Sequence, residues 1–205
     1  MPKIVDHAKK KHDIAAAACT AISELGIEKV KLIDIGQQAG CTTGAITHYF
    51  ANKNEVLIAA WDYLYSDLIK QTNIVSAREP YSLIDVLSES LPLTPQSRAQ
   101  VKVWMALTIR SLNNSSLAKK QIETSGLWNM RIRKELRKAL QLGVLNSQID
   151  PDFESQVISI VINGICLRAI MDPKDWPRSR QIKFLCQHVD RLVPESPTRT
   201  GRHSI

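Results

Sequence analysis

Apolar residues recur along most of this chain at intervals of three and four positions. In the first such segment Ile14, Ile22 and Leu25 share one helical face, and Gly26 follows where a left-handed helix C-terminus is expected. Glycine and proline are few, and no segment shows the sustained alternation of apolar and polar residues that is typical of strands. The pattern therefore predicts an all-α protein.

Cap residues mark where the successive helices begin. The Thr42 hydroxyl can accept a hydrogen bond from an unpaired backbone N–H, and Asn52 followed by Glu55 forms a capping-box pattern. Later starts pair a cap residue with an acid or a proline, at Ser82, Thr94 and Asp150. We predict helices at about 6–25, 32–39, 43–49, from 53 onward, 82–90, 95–113, 115–142, 151–171 and 178–193.

The two short helices at 32–39 and 43–49 meet across Gly40, which is the layout of a helix-turn-helix. An ordinary helical hairpin has the same outline. The second helix favours DNA reading, because a core helix would offer leucine and isoleucine where this one offers small or hydrogen-bonding residues, namely Thr43, Gly44, Ala45, Thr47 and His48. Only Ile46 and Phe50 look like apolar anchors.

The C-terminal part of the chain predicts a larger helical bundle. Residues 157–165 are apolar nearly all round, so we expect them to be buried on every side. The last helix carries a 3-4-3 seam that can pack within its own chain or on a second copy, formed by Ile182, Leu185, Val189 and Leu192. We thus predict a DNA-binding domain at 1–52, a ligand-binding and dimerisation domain at 53–193, and a disordered tail at 194–205.

Composition narrows the class of function. The formal net charge of +7 permits a polyanionic partner without requiring one. The sequence lacks the run of roughly 18 apolar residues that a membrane span needs, and its charged N-terminus is unlike an export signal, so we expect a cytoplasmic protein with no membrane partner. The cysteines are scattered, and no catalytic motif or phosphate-binding loop is present. We predict no cofactor, no metal and no catalytic residue, with an enzyme as the main rival class.

The helix-turn-helix region carries a longer motif. Residues 35–57 read IGQQAGCTTGAITHYFANKNEVL, which resembles the N-terminal domain of the TetR family of transcriptional repressors. Gly36 stands where that family usually has alanine, Cys41 where it has valine, and Thr47 where a tyrosine often contacts DNA. These departures leave the fold expectation intact and change the expected operator sequence.

The resemblance implies which residues contact DNA. Thr43, Gly44 and Thr47 would approach bases, His48 a base or a phosphate, and Tyr49 and Lys53 phosphates. The alternatives are exposed turn residues, a solvent-facing histidine at position 48 and a plain surface lysine at position 53. Lys31 replaces the family's usual threonine cap and adds a candidate phosphate contact, as does the basic run at 9–11 unless it is simply solvated. The full set of predicted DNA-binding residues is Lys31, Thr42, Thr43, Gly44, Thr47, His48, Tyr49 and Lys53.

A second resemblance lies in the C-terminal half. The sequences VKVW at 101–104 and NGICLR at 163–168 are similar to the choline-responsive, betaine-synthesis subgroup of the family, although Asn163 replaces that subgroup's usual acid. Tryptophan and tyrosine faces can hold a quaternary ammonium group, but tryptophans in a bundle are also ordinary core residues. We expect a small-molecule effector of unspecified identity, with contacts at Trp61, Tyr65, Trp104, Thr108, Trp128 and Asn163.

These expectations combine into one function. The protein would be a ligand-responsive repressor that binds a palindromic double-stranded DNA operator as a homodimer through its last two helices, and that is released by a small molecule. A regulator of the same fold without an effector, or one that activates transcription, is the alternative.

Overall fold

The computed structural model describes residues 7–194, and this part of the chain is all helical, which confirms the predicted class. The predicted tail, except Pro194, lies outside the described residues. The helices are α1 (His7–Leu25), α2 (Leu32–Gln38), α3 (Thr43–Tyr49), α4 (Lys53–Ser76), α5 (Leu83–Ser88), α6 (Pro95–Ser111), α7 (Ser115–Gln141), α8 (Pro151–Met171) and α9 (Arg178–Val189), followed by a 3₁₀ turn at Asp190–Leu192.

The helix starts follow the predicted caps. The Thr42 hydroxyl accepts a hydrogen bond from the Ala45 N–H at 3.1 Å, and the Asn52 side chain accepts one from the Glu55 N–H at 3.1 Å. At α2, where a side-chain cap was expected to be missing, Lys31 supplies none. Instead the Lys31 N–H donates to the Asp34 carboxylate at 2.7 Å, so the first turn of α2 is held from within.

The turn between α2 and α3 requires two glycines. Gly40 has a φ of +60°, a conformation that side-chain-bearing residues rarely adopt. A Cβ added at Gly36 would lie 2.7 Å from the Cys41 carbonyl oxygen. The Cys41 N–H also donates to the Gly36 carbonyl at 2.9 Å. The alanine common in the family at position 36 therefore does not fit this turn as it stands.

A first hydrophobic core joins α1 to α4 and continues beyond them. Ile14, Ile35 and Ile46 lie at its centre, fully buried. Leu107 of α6 and Leu117 of α7 belong to the same cluster. The helix-turn-helix is thus packed directly on the C-terminal part of the chain.

A second core lies among α5, α7, α8 and α9, and α8 contributes only one face to it. Ile158, Ile162 and Ile165 are buried, whereas the opposite face carries exposed apolar side chains. The expectation that residues 157–165 are buried on every side is therefore wrong for the single chain. The seam predicted on the last helix packs within its own chain, with Leu185, Val189 and Leu192 buried and Ile182 half-buried.

Helix α8 is also, by length and composition, apolar enough to cross a membrane, with a mean hydropathy of 1.4 over an 18-residue window within Pro151–Met171. A core helix of a globular bundle passes the same test. Because α8 packs against α6, α7 and α9, its composition is weak support for a membrane span.

A buried polar network joins the C-terminal end of α4 to α7. Glu135, only 2% exposed, pairs with Arg131 four residues earlier on α7. The Ser76 hydroxyl donates to both carboxylate oxygens of Glu135, at 3.0 and 2.9 Å, and the Tyr81 hydroxyl donates to one of them at 3.0 Å. Arg131 also donates to the Thr72 hydroxyl at 3.3 Å. The network fixes the end of α4 against α7.

Candidate nucleic-acid interface and ligand cavity

Helix α3 has one anchored face and one exposed polar face. Ile46 and Phe50 are buried against the first core, as the sequence predicted. The exposed residues are the ones expected to contact DNA: Thr42, Thr43, Gly44, Thr47 and His48, with Tyr49 half-buried beside them. A short helix held by two apolar anchors, with hydroxyl and imidazole groups outward, can present hydrogen-bonding groups to base edges.

The polar groups of this face are only partly used within the chain. The Thr47 hydroxyl donates to the Gly44 carbonyl at 3.0 Å, which leaves its oxygen free to accept a further bond. Gly44 has an ordinary helical φ, and a Cβ there would meet only the Thr42 hydroxyl oxygen, at 3.8 Å. Packing within the described part of the chain therefore does not require a glycine at this position.

Lys53 has a different environment from a free surface lysine. Its ammonium donates to the Val30 carbonyl at 2.6 Å and to the Ile27 carbonyl at 3.3 Å, in the α1–α2 turn. Desolvation by burial, and after it the positive charge of Arg110, lower the pKa of this amine. Lys53 therefore ties α4 to the α1–α2 turn, while Lys31 at the end of that turn is exposed.

A histidine that sequence reasoning missed lies beside α3. His7, in the first turn of α1, has its ring centroid 5.1 Å from that of Tyr49 and 5.9 Å from that of His48. Helical periodicity carries no signal for this contact, because it joins residues about forty positions apart in two different helices. His7 belongs to the same surface as the predicted DNA-binding residues.

A cavity of about 130 Å³ lies between α4, α6, α7, α8 and the segment after α5. It is large enough for several water molecules or for a small organic molecule, since one water needs on the order of 10–15 Å³ by this measure. Five of the six predicted ligand residues line it, namely Trp61, Tyr65, Trp104, Trp128 and Asn163. Thr108 does not; it lies one turn farther along α6, and its hydroxyl donates to the Trp104 carbonyl at 2.9 Å.

The cavity wall combines aromatic faces with polar groups that the sequence analysis did not select. Glu89 is exposed at the edge of the cavity and has no ion pair among residues 7–194. Gln100 donates to the Asp67 carboxylate at 2.6 Å, and Cys166 donates its thiol to the Ser90 carbonyl at 3.4 Å. Burial raises the pKa of Cys166 to about 12, so this group stays a neutral thiol. Among the lining residues Glu89 supplies the only formal charge.

The two halves of the chain match known families. The description "BetI-type transcriptional repressor, C-terminal" fits residues 82–194, and "Bacterial regulatory proteins, tetR family" fits residues 14–60. The protein belongs to the TetR family. Its place among BetI-type regulators agrees with both resemblances found in the sequence, and it makes the chain a DNA-binding transcriptional regulator.

Individual transcriptional regulators align with the chain over most of its length. The regulator PksA of Bacillus subtilis is 26% identical over 98% of this chain and 98% of its own, and BetI of Burkholderia cenocepacia is 23% identical over 94% and 98%. These relatives are named as transcriptional regulators, which excludes the rival interpretation as an enzyme.

Solved structures of TetR-family and related regulators share the fold. A regulator from Saccharomonospora viridis in complex with choline superposes with a TM-score of 0.79 at 18% identity, covering 92% of this chain and 100% of its own. A regulator from Rhodococcus sp. Rha1 superposes with a TM-score of 0.76 at 22% identity, covering 89% and 95%.

Proposed function

We propose that this TetR-family regulator is a repressor that binds a palindromic operator as a homodimer and is released by a small molecule bound in the cavity. The observation that carries the proposal is the position of the cavity. It lies along α4 and α6, and both of these helices also contact the DNA-binding part of the chain. Helix α4 begins at Lys53, against the α1–α2 turn, and carries Trp61 and Tyr65 into the cavity wall. A ligand against these side chains acts on the same rigid element that positions α3.

Helix α6 makes a second connection between the cavity and the DNA-binding head. Trp104 lines the cavity, and two turns later Arg110 donates to both carboxylate oxygens of Glu28, at 2.9 and 3.0 Å, in the α1–α2 turn. A ligand that binds better when α4 and α6 are displaced weakens DNA binding by the factor by which DNA weakens ligand binding. Displacement of α4 and α6 is thus the proposed route by which the ligand releases the protein from DNA.

In this proposal α3 enters the major groove. Thr43, Gly44 and Thr47 approach base edges, His48 contacts a base or a phosphate, and Tyr49 contacts a phosphate. Further phosphate contacts come from the remaining predicted DNA-binding residues, Lys31, Thr42 and Lys53. Because Lys53 already donates to two carbonyls, its contribution is to hold the α1–α2 turn as well as to add positive charge near the DNA.

Binding to a palindrome needs a second copy of the chain, and α8 and α9 offer a surface to which it can bind. Half-sites lie about 34–36 Å apart, so one reading helix per copy requires a stable dimer. The exposed side of α8 carries apolar side chains from its first turn to its last, with Ile160 70% exposed, and Phe184 on α9 is also exposed. The stripe that this pairing would cover on α8 consists of Phe153, Ile160, Leu167 and Met171.

We further propose that residues 1–52 form the DNA-binding domain and residues 53–193 the ligand-binding and dimerisation domain of a cytoplasmic protein. The two share the core around Leu107 and Leu117, so they form a continuous body through which displacement can pass.

The cavity chemistry suggests the first compound to test. Three tryptophans and Tyr65 offer aromatic faces, and Glu89 supplies the acid that Asn163 does not. The Saccharomonospora neighbour was solved with choline. Choline and its uncharged carbon analogue 3,3-dimethyl-1-butanol differ only in the charge of the head group, so their comparison separates recognition of a cation from recognition of shape.

The deciding experiment begins with selection of bound fragments from the host genome, followed by fluorescence anisotropy with the recovered duplex. Thr47→Ala should relax the preference at one base pair by about 1–3 kcal/mol, while Thr20→Ala, which alters an exposed threonine on α1, should change nothing. Equal affinities for both variants would reject the assignment of α3. Choline should lower the affinity of the protein for the recovered duplex. If neither choline nor 3,3-dimethyl-1-butanol releases the protein from DNA, choline is not the effector, and the protein is still a TetR-family DNA-binding regulator.

The dimer has its own test by light scattering. Ile160→Glu on α8 should give monomers, whereas Ile109→Glu, on α6 and 64% exposed, should leave the mass unchanged. A dimeric Ile160→Glu variant would place the interface elsewhere.

A further inference from the structure

The first turn of α1 places an imidazole at the end of the DNA-reading helix. The rings of His7, His48 and Tyr49 form a cluster in which each ring centroid lies 5.1 to 5.9 Å from the others. His7 and His48 are exposed. An exposed ring cluster adds little apolar burial, so packing alone does not explain why two of its three members are histidines.

Two lysines follow His7 on the same helix. One turn farther along α1, at helical spacing from His7, lie Lys10 and Lys11, and the Lys11 ammonium is 5.6 Å from the ring centroid of Phe50. Helix α3 contributes only His48 and Tyr49 to the ring contacts. No described ion pair joins a carboxylate to either imidazole within residues 7–194.

The charged groups at the start of α4 are hydrogen-bonded to backbone groups. Lys53 donates to the α1–α2 turn, and the Glu55 carboxylate accepts the Ala51 N–H at 2.8 Å. A DNA phosphate placed against the surface of the ring cluster favours the protonated form of an imidazole there.

We propose that His7 is part of the DNA-binding surface, where its ring positions His48 and Tyr49 and its protonated form adds a phosphate contact that makes operator affinity pH-dependent. The inference rests on the proposed placement of α3 on DNA. Because proton uptake and DNA binding are linked, binding becomes tighter as pH falls through the range in which imidazoles titrate, about pH 7.5 to 5.5.

The size of the effect follows from counterion release. One additional phosphate contact steepens the slope of log affinity against log salt by about 0.9 and is worth up to about eightfold in affinity at roughly 0.1 M salt. The expected dependence is therefore severalfold over the titration range, carried jointly by His7 and His48.

The test uses fluorescence anisotropy of the full chain at acid and neutral pH over a series of salt concentrations. The probes are the recovered operator duplex and a random-sequence duplex. His7→Phe keeps a ring against Tyr49 and removes the proton; it should lose a substantial part of the pH dependence and of the extra salt slope. His7→Ala should also lower affinity at neutral pH, where only the positioning role remains.

A matched control lies on the same helix. His12 is exposed and packs its ring 5.0 Å from that of Tyr63 on α4, away from α3. His12→Phe should leave both the pH dependence and the salt slope unchanged. A His7→Phe variant that titrates as the wild type does, or a wild type whose affinity is the same at both pH values, would overturn the proposal. A wrong placement of α3 on DNA gives a distinguishable result, because Thr47→Ala would then leave the sequence preference unchanged.

Discussion

Replacing Glu135 by glutamine should be among the most destabilising single changes in this chain. The substitution preserves size and removes the only negative charge among residues 7–194 that pairs with the buried Arg131. Within the described residues one terminal nitrogen of Arg131 already has no hydrogen-bond partner, so the guanidinium depends on Glu135 and Thr72. Breaking a buried ion pair from one side costs about 3–5 kcal/mol, and the hydroxyls of Ser76 and Tyr81 would also lose a charged acceptor.

The assay is equilibrium unfolding in urea, followed by tryptophan fluorescence at a fixed protein concentration because dimerisation contributes to stability. Glu123→Gln is the matched control: it is the same change on the same helix, but the Glu123 side chain is 57% exposed and its partner Lys120 keeps a second ion pair with Asp62, so about 0–1 kcal/mol is expected. If Glu135→Gln lowers the free energy of unfolding no more than the control does, the network does not hold α4 against α7 in the way described.

The double variant Arg131→Met with Glu135→Met separates charge burial from loss of packing. Removing both charges leaves no unpaired ion, so the double variant should be more stable than Glu135→Gln, by an amount up to the full single-site loss of about 3–5 kcal/mol. A double variant as unstable as Glu135→Gln would show that shape, and not charge, determines the outcome.

Three further predictions concern individual groups. Gly36→Ala should cost about 1–3 kcal/mol in urea unfolding, because the new methyl group meets the Cys41 carbonyl oxygen; unchanged stability would show that the turn relaxes. Lys53→Met should cost about 1–2 kcal/mol of stability even without DNA, by loss of its bonds to the α1–α2 turn; a purely DNA-binding lysine would leave the urea midpoint unchanged. Burial, and then the Glu135 charge, raise the pKa of Tyr81, so the unfolded chain ionises first and stability should fall as pH rises above about 10. Tyr81→Phe should flatten that alkaline loss in pH-dependent unfolding, and an unchanged slope would contradict the assignment.

The helices themselves were predictable from sequence because their signals are local. Thr42 and Asn52 cap the helices that they were expected to cap, since a cap depends on residues only three positions apart. The cavity aromatics on α4 were predictable for a similar reason: Trp61 and Tyr65 are four residues apart and share one helical face.

Contacts between distant segments could not be derived in this way. His7 meets α3 only through the packing of α1, and Glu89 reaches the cavity from the segment after α5, so neither has a periodic signal. Thr108 was placed in the cavity although its hydroxyl is satisfied by the backbone of its own helix. For α8, an apolar sequence does not distinguish burial within one chain from an exposed apolar face, and Ile160 proved to be exposed.

The shared core around Leu107 and Leu117 has a consequence for anyone who builds chimeric regulators from this chain. A head exchanged at residue 52 would bring foreign side chains against the end of α6 and the start of α7, and would leave Arg110 without Glu28. The unit that can be exchanged intact is therefore discontinuous in sequence, and a working hybrid sensor would have to carry the end of α6 and the start of α7 together with the first four helices.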